Sequence, residues 1–156
     1  MKIDSIKGFA DILPSEVESW QFVEEKAREV FALYNFSEIR VPIVEKTELF
    51  SRSLGETTDI VEKEMYTFAD QDAKGSLLTL RPEGTAGVAR AYVEAELYKV
   101  EPVRKLFYLG PMFRRERPQK GRLRQFYQIG AEVLGRPDPL VDAEVLLLLG
   151  DRKSVV

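Results

Sequence analysis

The chain has 156 residues, of which 44% are apolar and 31% charged, and its formal net charge is −3. It contains no cysteine and no histidine, which excludes disulfides, thiolate nucleophiles, Ser–His triads and metal sites built on Cys or His ligands. Any catalysis in this chain therefore uses Arg, Lys, Glu, Asp, Gln, Tyr or Thr, a set that suits the binding of phosphates and carboxylates.

Length and hydropathy together predict one globular domain, since a single core typically spans about 100–200 residues. No apolar run, including the one at 145–149, exceeds five residues, whereas a membrane span needs roughly 18. Residues 1–12 have no apolar segment of the kind found in signal peptides. We therefore expect a soluble cytoplasmic protein.

A helix followed by a strand is predicted near the N-terminus. Ser15 and Glu18 have the spacing of a capping box, in which each side chain satisfies an otherwise unpaired backbone N–H. Apolar residues then recur every three or four positions until about Asn35, which indicates one amphipathic helix. Residues 37–43 alternate in character, and Pro42, which has no N–H to donate, suits an edge or terminal position in a sheet.

The next segments predict a short helix, a hairpin and a second long helix. Residues 47–54 read as a short helix that Gly55 ends. Residues 65–68 and 77–80 read as two strands joined by a polar turn. Thr85 is predicted to cap a helix that runs to about Tyr98.

The most informative segment is a predicted second hairpin, with strands at 104–114 and 124–133 and a charged loop at 117–123. Successive side chains of a strand point to opposite faces. One face of the return strand is then apolar, while the other carries a cation, a ring, an amide and a carboxylate. The apolar set is Tyr127, Ile129, Ala131 and Val133; the mixed set is Arg124, Phe126, Gln128, Gly130 and Glu132; on the outgoing strand Tyr108, Gly110, Met112 and Arg114 share a face.

Asp138 followed by Pro139 predicts the start of a last helix that runs through Leu149. Hairpins grouped together without a βαβ alternation predict an α+β fold, an antiparallel sheet flanked by helices. Neither GxGxxG nor GxxxxGK[ST] occurs in the sequence. A nucleotide bound here would therefore be held by something other than a P-loop.

The second hairpin concentrates positive charge in an otherwise acidic chain. Between Arg114 and Arg124 lie six cations and one acid, a local charge of +5. A solvated hairpin tip or a nonspecific RNA patch would explain this composition equally well. Alternation, however, aims Arg114 and Arg124 along the same hairpin as Phe126 and Gln128. A guanidinium that grips phosphate beside a ring that stacks on a base favours a purine nucleotide lying on the sheet.

Two carboxylates are further candidates. The segment Arg81-Pro82-Glu83-Gly84-Thr85 has the residues of a strand-to-helix turn, but that explanation gives Glu83 no role. A carboxylate at that place could bind an amino group. Glu132 is flanked by apolar residues on its strand, and it is either the partner of a neighbouring arginine or a ligand for substrate.

Four segments resemble the class II histidyl-tRNA synthetases. They are residues 7–14 (KGFADILP), 42–50 (PIVEKTELF), 80–90 (LRPEGTAGVAR) and 106–135 (LFYLGPMFRRERPQKGRLRQFYQIGAEVLG). The resemblance implies the class II catalytic fold in incomplete form, with the first helix and the following strand as the dimer element, motif 1, and the second hairpin as motif 2. It also implies a two-step reaction, in which ATP activates histidine and the histidyl group then passes to the terminal adenosine of tRNA(His).

The resemblance implies a role for each motif 2 residue toward ATP. Arg114 would bridge the α-phosphate and the carboxylate of histidine, and it is the catalytic residue. Glu116 would meet the adenine amino group, Arg122 would reach the terminal phosphates, and Phe126 would stack on adenine. Mg²⁺ would help to offset the negative charge that develops when pyrophosphate leaves.

By the same resemblance, Glu83, Thr85 and Gln128 would hold the α-amino group of histidine. Glu132 would accept a hydrogen bond from the imidazole N–H, because a carboxylate only accepts. Many members of the family have His at the position that Tyr127 occupies in this chain. The alternation of the strand points this side chain away from the substrate.

The resemblance covers residues 1–150 as the N-terminal part of a catalytic domain. We expect the histidine-specific segment, motif 3 and the anticodon-binding domain to be missing, and the fragment alone to be inactive and poorly soluble. Residues 151–156 (DRKSVV) look unrelated to the family and match one reading frame of a sequencing adapter.

Two other functions stay open. One is a synthetase-like regulatory subunit of ATP phosphoribosyltransferase in histidine biosynthesis, a class in which motif 2 is usually degraded. The other is a free-standing RNA-binding or dimerisation module. Intact motif 2 residues at Arg114, Glu116, Arg122, Phe126 and Gln128 favour the ligase.

Overall fold

The computed structural model describes residues 3–55, 64–72, 75–117, 119 and 121–154, without the side chains of residue 54 and of residues 151–154. Helices and strands alternate irregularly along the chain. In chain order they are α1 (Pro14–Leu33), β1 (Ser37–Glu38), β2 (Val44–Lys46), α2 (Thr47–Leu54), β3 (Tyr66–Ala69), β4 (Leu77–Leu80), α3 (Thr85–Glu94), α4 (Leu97–Val100), β5 (Arg104–Phe113), β6 (Gln125–Leu134) and α5 (Pro139–Ser154).

The chain, predicted from its length to be one domain, forms two compact units. The first comprises Met1–Asp11, Val41–Arg90 and Gly110–Gln128; the second comprises Ile12–Arg40, Ala91–Leu109 and Ile129–Val156. The two long strands, β5 and β6, each contribute residues to both units.

The core of the second unit lies between helices α1 and α5 and the sheet of order β1-β5-β6. The Phe31 ring of α1 stacks on Phe107 of β5, with 4.3 Å between centroids and 12° between planes. Three residues of the apolar face predicted for the return strand pack against this core, which confirms the alternation there: they are Ile129, Ala131 and Val133.

Helix α1 begins two residues earlier than the predicted capping box at Ser15 implies. Pro14 occupies the first helical position, and Leu13, with φ −79° and ψ 161°, is the N-cap. Proline favours that first position because its φ is already helical and its missing N–H would have no partner there. The predicted Ser15–Glu18 capping box is therefore wrong, and the Glu16 carboxylate accepts from the Leu13 N–H at 3.4 Å instead.

The strand predicted over residues 37–43 is also wrong in its length. Only Ser37–Glu38 form a strand, which pairs in parallel with β5 at Leu106 and Phe107. The chain then passes from the second unit to the first at Val41. Pro42 lies outside both neighbouring strands, because it has no N–H for a ladder. Residues 39–43 therefore belong to neither strand and connect one sheet to the other.

The first unit is built on an antiparallel sheet of order β2-β4-β3. The predicted hairpin is confirmed, with Tyr66 opposite Leu80 and Ala69 opposite Leu77; residues 73 and 74 of its turn lie outside the described part. Helix α2 ends at Gly55, whose φ is +87°, as predicted. Phe50, Met65 and Ala86 form a buried core cluster in this first unit.

The helix predicted from Thr85 to about Tyr98 is broken in two. Helix α3 ends at Glu94, and Glu96 adopts a left-handed conformation with φ +51° before α4 begins at Leu97. No glycine or proline marks this break in the sequence. The prediction rested on helix propensity alone. Propensity is a weak preference, and the left-handed turn at Glu96 is formed against it.

Helix α5 starts where the sequence predicted. The Asp138 carboxylate accepts the Leu140 N–H at 2.9 Å and pairs with Arg136 at 2.6 Å. These two contacts lower the pKa of the Asp138 carboxyl. None of the helices in the described residues is both long and apolar enough to span a membrane. The architecture is thus α+β as predicted, and the described residues form two three-stranded sheets with one parallel pair of strands.

Candidate functional site

The turn at residues 81–85 is held by the side chain of Glu83, which is 8% exposed. Its carboxylate accepts the backbone N–H of Thr85 and, at 3.0 Å, that of Ala86. A carboxylate is stabilised there because the first N–H groups of a helix have no intrahelical partner. The cap of α3 is therefore Glu83, whereas the sequence assigned it to Thr85, the exposed first residue of the helix.

Arg81 has a structural role that the sequence analysis missed. Its side chain is buried, and it donates from Nε to the Pro111 carbonyl at 2.9 Å and from Nη1 to the Val41 carbonyl at 2.8 Å. A methyl group on Gly110 would lie 2.5 Å from Arg81 Nη2. A glycine inside a strand often marks such a close approach, so Gly110 was the available signal.

Arg114 follows directly after β5 and lies over Phe126 of β6. Its guanidinium carbon is 5.1 Å from the centre of the Phe126 ring, a cation–π distance. Its Nε donates to the Pro82 carbonyl at 2.9 Å, and its backbone N–H donates to the Arg124 carbonyl. Within the described residues, no acceptor contacts its two terminal nitrogens. The outer edge of the fork is thus open to an anionic ligand.

Glu116 and Arg122 face each other across the loop that joins β5 to β6. Arg122 Nη1 is 3.4 Å from Glu116 Oε2, and the two side chains are 65% and 20% exposed. Exposed pairs of this kind contribute about 0–1 kcal/mol. The loop therefore presents both groups to solvent, as a ligand would require. Lys120, one of the six cations of this segment, lies outside the described residues.

Gln128 lies two residues beyond Phe126 on β6, on the mixed face that alternation predicted. Its amide oxygen is buried and accepts no hydrogen bond from any of the described residues. A buried acceptor without a donor is unfavourable by about 1–3 kcal/mol. A ligand that brings an N–H donor to Gln128 would satisfy this acceptor.

Glu132 lies on the same strand within the second unit, where it is partly buried and has an interaction partner. In that unit Tyr108, which is 4% exposed, covers Gly130, because a methyl group on Gly130 would overlap the Tyr108 ring. Tyr108 of β5 and Gly130 of β6 thus lie on the same face of the hairpin.

One member of the predicted apolar face departs from it. Tyr127 is 42% exposed, whereas Ile129 packs against the core of the second unit. Tyr127 belongs to the first unit, in which the core is built from α2, α3 and the residue before β3. The expectation that Tyr127 is a core residue is therefore wrong.

The sequence matches one known family over nearly its whole length. Residues 8–155 match the family described as histidyl-tRNA synthetase. The chain belongs to the histidyl-tRNA synthetase family. The fold class expected from the resemblance is confirmed with it.

The curated relatives with high sequence identity to this chain are named histidine–tRNA ligase. The chain is 67% identical over 149 residues to a histidine–tRNA ligase of Trichlorobacter lovleyi, covering 96% of this chain and 35% of the relative. It is 66% identical over 147 residues to that of Geobacter sulfurreducens, covering 94% of this chain and 35% of the relative. The chain thus spans about a third of the length of the curated relatives it matches.

Solved structures agree at the level of the fold. The crystal structure of apo S. aureus histidyl-tRNA synthetase superimposes with a TM-score of 0.77 at 39% identity, covering 97% of this chain and 34% of that one. An ATP phosphoribosyltransferase regulatory subunit/histidyl-tRNA synthetase from Bacillus halodurans superimposes with a TM-score of 0.81 at 24% identity, covering 99% of this chain and 38% of that one. The second likeness shows the fold alone.

Proposed function

We propose that this chain is the N-terminal part of a histidine–tRNA ligase, an enzyme that activates histidine with ATP and transfers it to tRNA(His). The single observation that carries the proposal is the hairpin formed by β5 and β6, which presents Arg114, Phe126 and Gln128 within one unit. Family membership and the names of relatives at 64–67% identity support it.

The ATP half of the site uses the end of the hairpin at which the loop joins β5 to β6. Phe126 offers a ring for adenine, and Glu116 offers a carboxylate for the adenine amino group, which is a donor. Arg114 keeps its terminal nitrogens for the α-phosphate because Nε is already bound to Pro82. Arg122, which is 65% exposed, reaches the terminal phosphates from the loop.

The histidine half of the site binds an ammonium group with acceptors. The buried Gln128 oxygen is the strongest of these, since it has no other donor in the described part of the chain. Glu83 caps α3, yet a carboxylate has about four lone-pair positions and can accept further hydrogen bonds. The Thr85 hydroxyl, at the exposed start of α3, completes the set.

Glu132 is proposed to select histidine by accepting the imidazole N–H. A site built around a hydrogen bond rejects an isostere that lacks the donor, because the site's own acceptor would then be buried and unpaired. Substitution of Glu132 is thus expected to affect the choice of amino acid more than the binding of ATP.

The proposed chemistry needs positioning and charge. The carboxylate of histidine attacks the α-phosphorus in line, the bond to pyrophosphate breaks, and histidyl-adenylate forms. Arg114 stabilises the charge that develops on the α-phosphate. Mg²⁺ stays a prediction, because the described residues contain no group of three or more carboxylates that could hold a metal ion.

Partners follow from the same proposal. The second step requires tRNA(His), and the loop of residues 115–123 carries the charge to meet it. We propose a homodimer in which α1 and the residues after it form the interface, and a cytoplasmic location for the enzyme. The regulatory-subunit alternative has a likeness of fold at 24% identity in its support, and no contact within the described residues favours it.

A chimera tests the proposal directly. Residues 1–149 replace the matching part of the Trichlorobacter lovleyi ligase, which is 67% identical over this span. We expect histidine-dependent ATP–pyrophosphate exchange and charging of tRNA(His) close to those of the relative. The Arg114→Ala chimera should lose about 100-fold or more of the exchange rate, as is typical when a group that stabilises transition-state charge is removed.

The control is Arg136→Ala, which removes an exposed arginine that pairs with Asp138 and lies outside the proposed site. It should leave the exchange rate unchanged. A folded chimera without exchange activity, or one that loses no activity through Arg114→Ala, would contradict the proposal. Activation of an ATP phosphoribosyltransferase by the same chain would support the regulatory alternative instead.

A further inference from the structure

Residues 6–9 lie against the base of the loop that joins β5 to β6. The Phe9 N–H donates to the Ile6 carbonyl at 2.9 Å and closes a turn. The Gly8 carbonyl accepts the backbone N–H of both Arg124 and Gln125, at 2.8 and 3.1 Å. Two hydrogen bonds thus join this N-terminal segment to the beginning of β6.

The N-terminal segment is also attached to the sheet of the first unit. The Phe9 ring meets Tyr66 of β3 edge-on, with 6.1 Å between centroids and 64° between planes. Aromatic pairs in this geometry contribute about 0.5–1.5 kcal/mol beyond the area that they bury. The segment therefore has a fixed support on one side and β6 on the other.

The Arg124 side chain connects the N-terminal segment to the loop. Its Nε donates to the Glu116 carbonyl at 3.2 Å, and its Nη1 lies 3.5 Å from the Lys7 carbonyl. Gly8 has φ +92°, and a methyl group on it would lie 2.8 Å from Arg124 Cγ. Glycine is thus required at this position by the backbone conformation and by the close approach of Arg124.

The loop of residues 115–123 needs such a support. The Glu116–Arg122 pair is exposed and contributes little by itself. The contacts at the base of the loop are backbone hydrogen bonds: Arg115 donates to the Glu64 carbonyl at 2.7 Å, and Arg114 donates to the Arg124 carbonyl at 2.9 Å. Arg124 is the residue that joins these contacts to residues 6–9.

We propose that residues 6–9 position the nucleotide loop, with Gly8 and Arg124 as positioning residues that set where Glu116 and Arg122 meet ATP. The part that concerns ATP rests on the function proposed above, whereas the part that concerns the loop does not. The histidine side of the site has supports of its own, because Glu83 is held by the start of α3 and Gln128 lies inside β6, three residues beyond the hydrogen bonds to Gly8.

Limited proteolysis with trypsin tests the loop. The loop carries several trypsin sites, and opening of its base gives the loop the freedom to unfold locally that cleavage requires. Gly8→Ala forces a methyl group against Arg124, and we expect the initial rate of cleavage within residues 115–123 to rise about tenfold. The matched control is Gly75→Ala, where φ is +82° but nothing lies within 4 Å of the added methyl group. It should leave cleavage in the loop unchanged.

Titration of the ¹⁵N-labelled chain with ATP and, separately, with histidine tests the consequence. Gly8→Ala should weaken the affinity for ATP about tenfold and leave the affinity for histidine unchanged, whereas general damage to the unit would weaken both. Arg124→Lys keeps the charge but has one nitrogen for two acceptors. It should therefore raise the rate of cleavage in the loop and weaken the affinity for ATP, each by less than Gly8→Ala does.

Folding of every variant is checked by thermal unfolding followed by far-ultraviolet circular dichroism, which reports on both units, whereas the single tryptophan, Trp20 of α1, lies in the second unit. Equal cleavage of the loop in wild type and Gly8→Ala, or equal weakening of ATP and histidine binding, would overturn the proposal. Faster cleavage in Gly8→Ala with no ATP binding by the wild type would instead support the positioning of the loop and count against the proposed nucleotide site.

Discussion

Gln128 is the residue at which stability and ligand binding are in conflict. Its buried amide oxygen accepts no hydrogen bond in the described part of the chain. Replacing it with an apolar side chain of similar length removes the unsatisfied acceptor. We expect Gln128→Met to raise the free energy of unfolding by about 1 kcal/mol, measured by urea denaturation, and to weaken histidine binding in a titration.

The control for this prediction is Gln21→Met, the same change at an exposed position of α1. Its effect on the free energy of unfolding should lie within about 0.5 kcal/mol of zero. A loss of stability in Gln128→Met, or an equal gain in both variants, would contradict the account of Gln128.

Gly110 is the residue that shows how closely Arg81 approaches β5. A methyl group there would lie 2.5 Å from Arg81 Nη2 and would displace a guanidinium that holds two backbone carbonyls. Gly110→Ala should therefore lower the free energy of unfolding by about 1–3 kcal/mol in chemical denaturation.

Gly150→Ala is expected to raise the free energy of unfolding, because an added methyl group meets no neighbour there. Gly150 lies in α5 with nothing within 4 Å of an added methyl group. Alanine is favoured over glycine in a helix by about 0.5–1 kcal/mol, so this variant should gain stability. Equal losses in both variants would mean that Arg81 does not determine the effect at Gly110.

Alternation in the sequence was enough to bring Arg114, Phe126 and Gln128 to one hairpin, because the period of a strand fixes which side chains share a face. It could not show the contacts of Arg81. Their acceptors, Val41 and Pro111, lie 40 and 30 residues away along the chain. Such partners are set by tertiary structure, which no local pattern contains.

At the level of elements, the sequence predicted best where turn residues and periodicity agree. Helix α2, ended by Gly55, and the hairpin of β3 and β4 are examples. It failed where two local signals competed. Pro14 outweighed the Ser15 capping box at the start of α1, and the change of sheet near Pro42 interrupted an alternating run.

The start of α5 depends on one carboxylate. The Leu140 N–H and the Arg136 guanidinium lower the pKa of the Asp138 carboxyl. The stabilisation that this carboxylate supplies is present above its ordinary pKa and is lost as the pH falls through the lowered one. Asp138→Ala should therefore lower the melting temperature at pH 7 and have a diminishing effect toward pH 2.

Thermal unfolding of both proteins across this pH range measures the difference. Asp138→Asn keeps an N-cap acceptor without the charge, so it should lie between wild type and Asp138→Ala at pH 7. A difference between wild type and Asp138→Ala that is constant with pH would contradict the role given to the charge.

At the scale of the whole molecule, apolar side chains remain exposed on α5. Leu140, Leu146 and Leu147 are 75%, 68% and 65% exposed, whereas the neighbouring Leu148 is buried in the core. Exposed apolar patches favour association. We expect the isolated chain to self-associate, with a weight-average sedimentation coefficient that rises with concentration.

Leu146→Glu combined with Leu147→Lys should reduce that rise without a change in the melting temperature. Ile3→Glu, which alters a single side chain that is 93% exposed, is the control and should have little effect. A wild-type chain that sediments as a monomer at every concentration tested would contradict this prediction.

The central claim is that one face of the hairpin of β5 and β6 binds both ATP and histidine. Titration of the ¹⁵N-labelled chain with a sulfamoyl analogue of histidyl-adenylate tests it most directly. The account predicts that the backbone amides of Arg114, Phe126 and Gln128 shift together along one binding curve. Shifts confined to other regions, or no shifts in a chain whose spectrum is that of a folded protein, would contradict it.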